Sequence, residues 1–201
     1  MKKLFTGILI LGFLLSLFTV SQAVTITFDG LVGANIDPFP TNYTESGFSV
    51  VGTGGEWFEA HFYGNEVPDI FAETTSSIQV KRTTPGEFTF ATVDLAGSSG
   101  VESIGGYSSA YFKGYLNSVL VLDLSGDFPS IFDFVTAMNL LPPVALDTLD
   151  ITVTPGIGVY SVNLDNIVVN PIPASIPEPA TMLLLGLGLM GLAGARKKFK
   201  N

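Results

Sequence analysis

The chain has no cysteine in 201 residues, one histidine (His61) and one tryptophan (Trp57). Without cysteine there is no disulfide, so packing or bound ions must hold whatever folds. One imidazole and no thiolate argue against a zinc site. Basic residues are scarce away from the termini. Six of the nine (Lys2, Lys3, Arg196, Lys197, Lys198 and Lys200) lie at the two ends, which leaves Lys81, Arg82 and Lys113 against 17 acidic residues in between. A body near −14 repels nucleic acid and anionic lipid, and suits neutral sugars and divalent cations better. Catalytic signatures are missing too. There is no Gly-x-Ser-x-Gly elbow, no phosphate loop and no dinucleotide fingerprint. Nothing in the sequence pairs His61 with a serine. No repeat of 20–50 residues is visible, which argues against a solenoid or propeller.

Long apolar runs occur only at the ends. Met1-Lys2-Lys3 is a short basic start, Leu4 to Val20 is almost wholly apolar, and Ser21-Gln22-Ala23 places small residues before a cut after Ala23. These are the three parts of a secretory signal helix over residues 1–23, to be handled by the secretion machinery and signal peptidase. At the other end Pro177-Glu178-Pro179 stays extended, because proline fixes φ and suppresses helix just before itself. It falls in a linker over 173–179. Residues 180–195 read as a transmembrane helix, short of the roughly 20 residues that span a bilayer comfortably. Residues 196–201, with Arg196-Lys197-Lys198, read as a basic cytoplasmic tail.

The tripeptide Pro177-Glu178-Pro179, the apolar run and Arg196-Lys197-Lys198, in that order, resemble the PEP-CTERM sorting signal of Gram-negative bacteria. The resemblance implies an exported protein, held transiently in the inner membrane and processed near the tripeptide by an exosortase. It further implies a place at the cell surface and an association with exopolysaccharide.

Residues 24–172 read as strands. Val24, Ile26 and Phe28 alternate with polar neighbours, as do Leu149, Ile151 and Val153. Period two marks a half-buried strand. Further runs are 47–53, 57–63, 77–81, 87–95, 101–107, 111–124 and 159–169, separated by Gly, Pro, Asn and Asp clusters. A helical turn is expected only within 130–141. The expected fold is all-β: a two-sheet antiparallel β-sandwich, jelly roll by preference. Two strands lose their rhythm. Parity slips at Asp165-Asn166, and again between Phe90 and Val93. Each slip predicts a β-bulge, the first leaving Asp165 or Asn166 where an apolar side chain should go.

The segments Leu164-Asp165-Asn166-Ile167, Ile26-Thr27-Phe28-Asp29-Gly30 and Tyr43-Thr44-Glu45-Ser46-Gly47-Phe48 are similar to those of secreted jelly-roll, carbohydrate-binding-like domains. That resemblance implies a structural calcium ion with Asp29 and Asp165 as ligands. The plainer alternative is that Asp29 caps a turn and Asp165 bonds nearby backbone.

In the 57–63 strand, alternation puts Phe58, Ala60 and Phe62 in a core and leaves Trp57, Glu59, His61 and Tyr63 outward. Flat rings beside a carboxylate and an imidazole can stack on a sugar face and bond its hydroxyls, so these four are the candidate glycan contacts. Tyr107, Tyr111 and Tyr115 are assigned to core packing. The expected function is non-catalytic: a sorted surface or matrix protein, or alternatively a carbohydrate-binding adhesin. A glycoside hydrolase stays open as a third class, because its carboxylate pair leaves no local pattern.

Overall fold

The computed structural model of the chain describes residues 22–62, 67–98, 106–130 and 133–173, and the single position Leu187. In chain order the strands are β1 (Val24–Ile26), β2 (Tyr43–Glu45), β3 (Phe48–Gly54), β4 (Phe58–Ala60), β5 (Asp69–Ala72), β6 (Ser76–Arg82), β7 (Phe88–Ser98), β8 (Tyr107–Leu116), β9 (Val119–Pro129), β10 (Val135–Met138), β11 (Thr148–Thr154) and β12 (Ser161–Pro171). Sheet A runs β10-β7-β12-β5-β4, with β1 also on β12, and sheet B runs β2-β3-β6-β11-β8-β9. Every strand pair is antiparallel. The fold is an all-β sandwich of jelly-roll type. Between residues 22 and 173 the described backbone contains no helix, and no helix among the described residues is long and apolar enough to cross a membrane. The expected signal and transmembrane helices lie outside the described residues. Ser21–Ile172 forms one compact unit.

Period two does what the sequence promises in the long strands. Leu149, Ile151 and Val153 of β11 are fully buried, as are Ile78 and Val80 of β6 opposite them. From the other sheet, Phe88 meets Phe48 edge to face at 5.3 Å, and Phe90 stacks on Phe112 at 5.2 Å. Each such buried aromatic or aliphatic chain contributes about 1.5–3 kcal/mol. In β8 the inward positions are small: Ser108, Ala110 and Gly114 alternate with the single ring of Phe112. Large neighbours fill that space. A Cβ on Gly114 would stand 2.5 Å from Leu146 Cδ2 and 2.9 Å from Leu122 Cβ. The large residues of β8 therefore face outward.

Both parity slips mark one irregularity. Between β12 and β7 the register runs Asp165↔Asp94, then Val168↔Thr92, then Val169↔Phe90. The β12 side accommodates its extra residue at Asn166, whose φ of 49° lies in the left-handed region that asparagine tolerates better than most. Elsewhere the sequence reading is corrected. The 111–124 run is two strands, because Asn117 and Ser118 both take positive φ and close a two-residue hairpin. The helical turn expected within 130–141 is strand β10, which borders β7. The 101–105 part of another expected strand lies outside the described residues. Strand β9 is an edge of sheet B, and among the described residues only its β8 side is paired.

One carboxylate ties the two sheets. Glu45, at the end of β2, accepts from Thr27 N (3.0 Å) and Thr27 Oγ1 (2.9 Å) through Oε1. Through Oε2 it accepts from Phe28 N (2.9 Å) and Tyr43 Oη (2.7 Å). Tyr43 Oη in turn accepts from Gly30 N at 3.2 Å. Burial and the Glu45 carboxylate together raise the Tyr43 phenol above its ordinary pKa. The Thr-Phe-Asp-Gly and Tyr-Thr-Glu segments are thus two halves of one lock, with Phe28 held at a φ of 61° between them.

Candidate functional site

The two sheets present different outer surfaces, and the candidate sites fall on both. Of the expected glycan contacts, Trp57 and Glu59 are buried and His61 is half-buried. Trp57 is 5% exposed and donates its indole N–H to Ser77 O at 3.1 Å. Glu59 is buried, accepting from Gly33 N (2.9 Å) and meeting His61 Nε2 at 2.9 Å. Phe62, expected in the core, is 87% exposed. Tyr63 lies outside the described residues. The cause is parity: Trp57 joins the hydrophobic core and bonds the other sheet, while Phe58 is half-buried and packs on Phe71 at 5.4 Å. The 33–39 loop bonds the free edge of β4 through Ile36 N→Glu59 O, Glu59 N→Asp37 O and Phe39 N→Trp57 O. Alternation predicts exposure only where one face of a strand meets water.

The two expected calcium ligands sit in unlike places. Asp29 is exposed on a turn, whereas Asp165 is 1% exposed and accepts from Asn166 N at 2.7 Å. Among the described residues no group of three or more His, Asp or Glu side chains converges as a metal site. Calcium takes six to eight oxygens, so a site on either carboxylate would need further ligands. Asp165 belongs to a row of polar groups on the outer side of sheet A. Asn166 Nδ2 donates to Asp94 Oδ2 (3.1 Å), Thr136 Oγ1 donates to Asp94 Oδ1 (2.6 Å), and Asn163 Nδ2 donates to both oxygens of Asp69 (3.3 and 3.1 Å). Burial pushes the Asp69 carboxyl from 3.8 up to about 9. The nearby Asp165 adds to the rise, and the Asn163 bond works against it. This carboxyl is neutral at neutral pH and serves the fold.

Sheet B turns a different surface outward. Tyr107, Ser109, Tyr111, Lys113 and Tyr115 share one parity of β8, with Tyr107 64% and Tyr111 44% exposed. The assignment of these tyrosines to the core is corrected: the small inward residues of β8 send the rings out. Register carries the stripe across three strands as a grid. Its rows are Ser77–Thr152–Tyr111, Gln79–Asp150–Lys113 and Lys81–Thr148–Tyr115. Rows stand about 7 Å apart and strands about 5 Å apart. Ser77 Oγ and Thr152 Oγ1 lie 2.7 Å apart, and Gln79 Nε2 donates to Asp150 Oδ1 at 2.9 Å. A cleft of about 300 Å³ opens among Thr53, Ser77, Tyr111, Lys113, Asp150 and Thr152. A second, of about 580 Å³, lies at the far end, where Lys81, Arg82, Asn117 and Thr148 line it. Phenol rings above hydroxyls, an amide, a carboxylate and an ammonium offer stacking and hydrogen bonds together.

Comparison with known proteins places the other end of the chain. Residues 175–198 match the PEP-CTERM protein-sorting motif. The chain carries a PEP-CTERM sorting signal. That motif marks an exported protein sorted to the cell surface, with an exosortase as its processing partner. Its sorting residues Pro177, Glu178, Pro179, Arg196, Lys197 and Lys198 lie outside the described residues, while Ala23, the expected signal cleavage site, is exposed just before β1. No curated protein matches the sequence of this PEP-CTERM chain. Among solved structures it is similar to a variant of a family 29 carbohydrate-binding module, at 11% identity and a TM-score of 0.42, over 76% of this chain and 93% of that one. It is also similar to the family 32 carbohydrate-binding module of C. perfringens NanJ in complex with galactose, at 15% identity and a TM-score of 0.37, over 62% and 97%. A third is the enzymatically active domain of bacteriophage CBA120 tailspike protein 4, at 12% identity and 0.39, over 63% and 20%.

Proposed function

We propose that this PEP-CTERM protein is a non-catalytic surface protein whose β-sandwich binds carbohydrate on the outer face of sheet B. One observation carries the reading: three tyrosines share the outward parity of one strand, with Tyr111 in the wall of a polar cleft, in a protein whose motif sends it outside the cell. Sugar rings have apolar CH faces that stack on phenols and hydroxyls that need partners, and the grid supplies both. The path to that place begins with a signal peptide cut after Ala23. A stage held in the inner membrane by residues 180–195 follows, and exosortase action near Pro177-Glu178-Pro179 ends it. Exopolysaccharide is the partner such a surface would meet.

A glycan array probed with the purified protein tests this. Binding that is lost in Tyr111→Ala, with unchanged circular dichroism, is the expected result. If no carbohydrate binds, the sandwich is a scaffold without a ligand, and the proposal is wrong. Processing has its own test: intact mass of the surface form should lack Arg196–Asn201, and their retention excludes exosortase cleavage.

A further inference from the structure

The domain has three cations, and all three are on sheet B. Lys81 and Lys113 stand in the outward grid, and Arg82 follows Lys81 at the end of β6. None forms an ion pair with a described residue. Lys113 still has carboxylates as neighbours, with Asp150 and Asp123 opposite it in register. Lys81 and Arg82 have none in register. Lys81 lies between Thr148 and Ser49, and Arg82 lies opposite Phe48. Both line the larger cleft, together with Glu87 and Asp147. Asp147 is already engaged: Oδ2 accepts from Asn117 N at 2.6 Å, and Oδ1 accepts from Thr148 Oγ1 at 2.9 Å. Outside the cleft one cation faces 15 acidic residues of the domain, whereas inside it two meet two. The cleft is the place where an anion is least opposed.

The guanidinium is also placed. Arg82 is half-buried and reaches Ile172 O with Nη1 at 3.5 Å. A Cβ on Gly86 would collide with that same nitrogen, so glycine leaves the room in which the fork lies. Lys81 takes the outward parity of β6 and Arg82 the opposite one, yet both border the cleft, so an ammonium and an arginine fork on its two sides suit a carboxylate. Dense polyanions are disfavoured by the field of the whole domain, while a single charge on an otherwise neutral chain pays little against it. The row Lys81–Thr148–Tyr115 puts the cation two strands, about 10 Å, from a tyrosine ring. That is a reach of about two sugar residues.

We infer that the carbohydrate bound on sheet B is acidic, and that a uronate carboxylate seats between Lys81 and Arg82 while neighbouring sugars lie along the tyrosine grid. This rests on the carbohydrate reading above. The test is isothermal titration of the purified protein with tetrasaccharides containing gluco-, galacto- or mannuronate, each beside its carboxyl-reduced counterpart. At least one acidic form should bind about tenfold more tightly than its reduced twin, with the gap shrinking as salt rises. Lys81→Met keeps the aliphatic stem and should abolish the gap by weakening the acidic form more than its reduced twin. Arg82→Lys, which keeps the charge and loses the fork, should narrow it. Equal affinity for both twins overturns the inference and leaves the carbohydrate reading standing, as does equal weakening of both by Lys81→Met. Binding of neither twin in any pair sinks both.

Discussion

The outer surfaces of the two sheets are both polar, yet they are polar for opposite reasons. On sheet A, Asp69, Asn163 and Asp165 are buried, and Asp94 is nearly so. Asn163 bonds Asp69 between β12 and β5, and Asn166 bonds Asp94 between β12 and β7. On sheet B the grid of Tyr111, Lys113, Asp150 and Thr152 lines an open cleft. A polar group without water must have a partner inside the protein, so the sheet A row is fixed by the fold. A polar group in water has no such obligation and is free to serve a ligand. The two surfaces should therefore answer substitution differently: sheet A in stability, sheet B in binding.

The sharpest way to break that contrast is through the joint between the sheets. Glu45→Ala removes the acceptor of four hydrogen bonds and strands the Thr27 and Phe28 amides. It should cost about 3 kcal/mol by urea denaturation, since bonds to a charged group are worth about 1.5–3 kcal/mol each and water recovers part of the loss at this half-buried site. A loss under about 1 kcal/mol would mean that the lock is ornamental.

Asp69→Asn comes next, with the opposite sign. Unfolded, this carboxyl releases its proton near 3.8; folded, near 9. Between those values the native state holds the extra proton, so the Asp69 contribution to stability is full below about 4 and falls as pH rises toward 9. An asparagine has nothing to release. The variant should be more stable than the parent at pH 8 by about 1–3 kcal/mol and should flatten the alkaline side of the thermal-melting profile. A variant that melts in parallel with the parent from pH 5 to pH 9 would show that Asp69 is ionised in the fold.

The smallest effects on stability belong to sheet B. Tyr111→Ala should shift unfolding by no more than about 0.5 kcal/mol while weakening glycan binding about tenfold or more. If instead it unfolds the domain, the stripe is structural, and the distinction between the two surfaces fails.

What the sequence revealed follows the same division. Period two exposed the strands whose one face meets the core and the other meets water, such as β6 and β11. The slips at Asp165-Asn166 and before Val93 exposed the bulge, because a parity change has few other causes in a strand. Trp57 was misread because it joins the core while Phe58 packs on Phe71, and alternation alone does not say which parity of a strand is inward. The tyrosines were misread because their ring size suggested a core, whereas the cavity beneath β8 is already filled by Leu146, Leu122 and Phe90. Composition did signal the cation cleft: only three Lys or Arg remain once the ends are set aside, and two of them are adjacent.

Strand β9 ends sheet B with no described strand on its far side, and Val119 and Val121 are exposed along it. Such a margin is a template on which another copy can add itself, strand to strand. Asp123 and Asp127, further along, present like charge to any identical margin that approaches, and Pro129 at the end has no N–H to offer it. Molecules displayed side by side at high density can then crowd without zipping into fibres. Neutralising Asp123 and Asp127 together would turn a coat of separate molecules into one that grows.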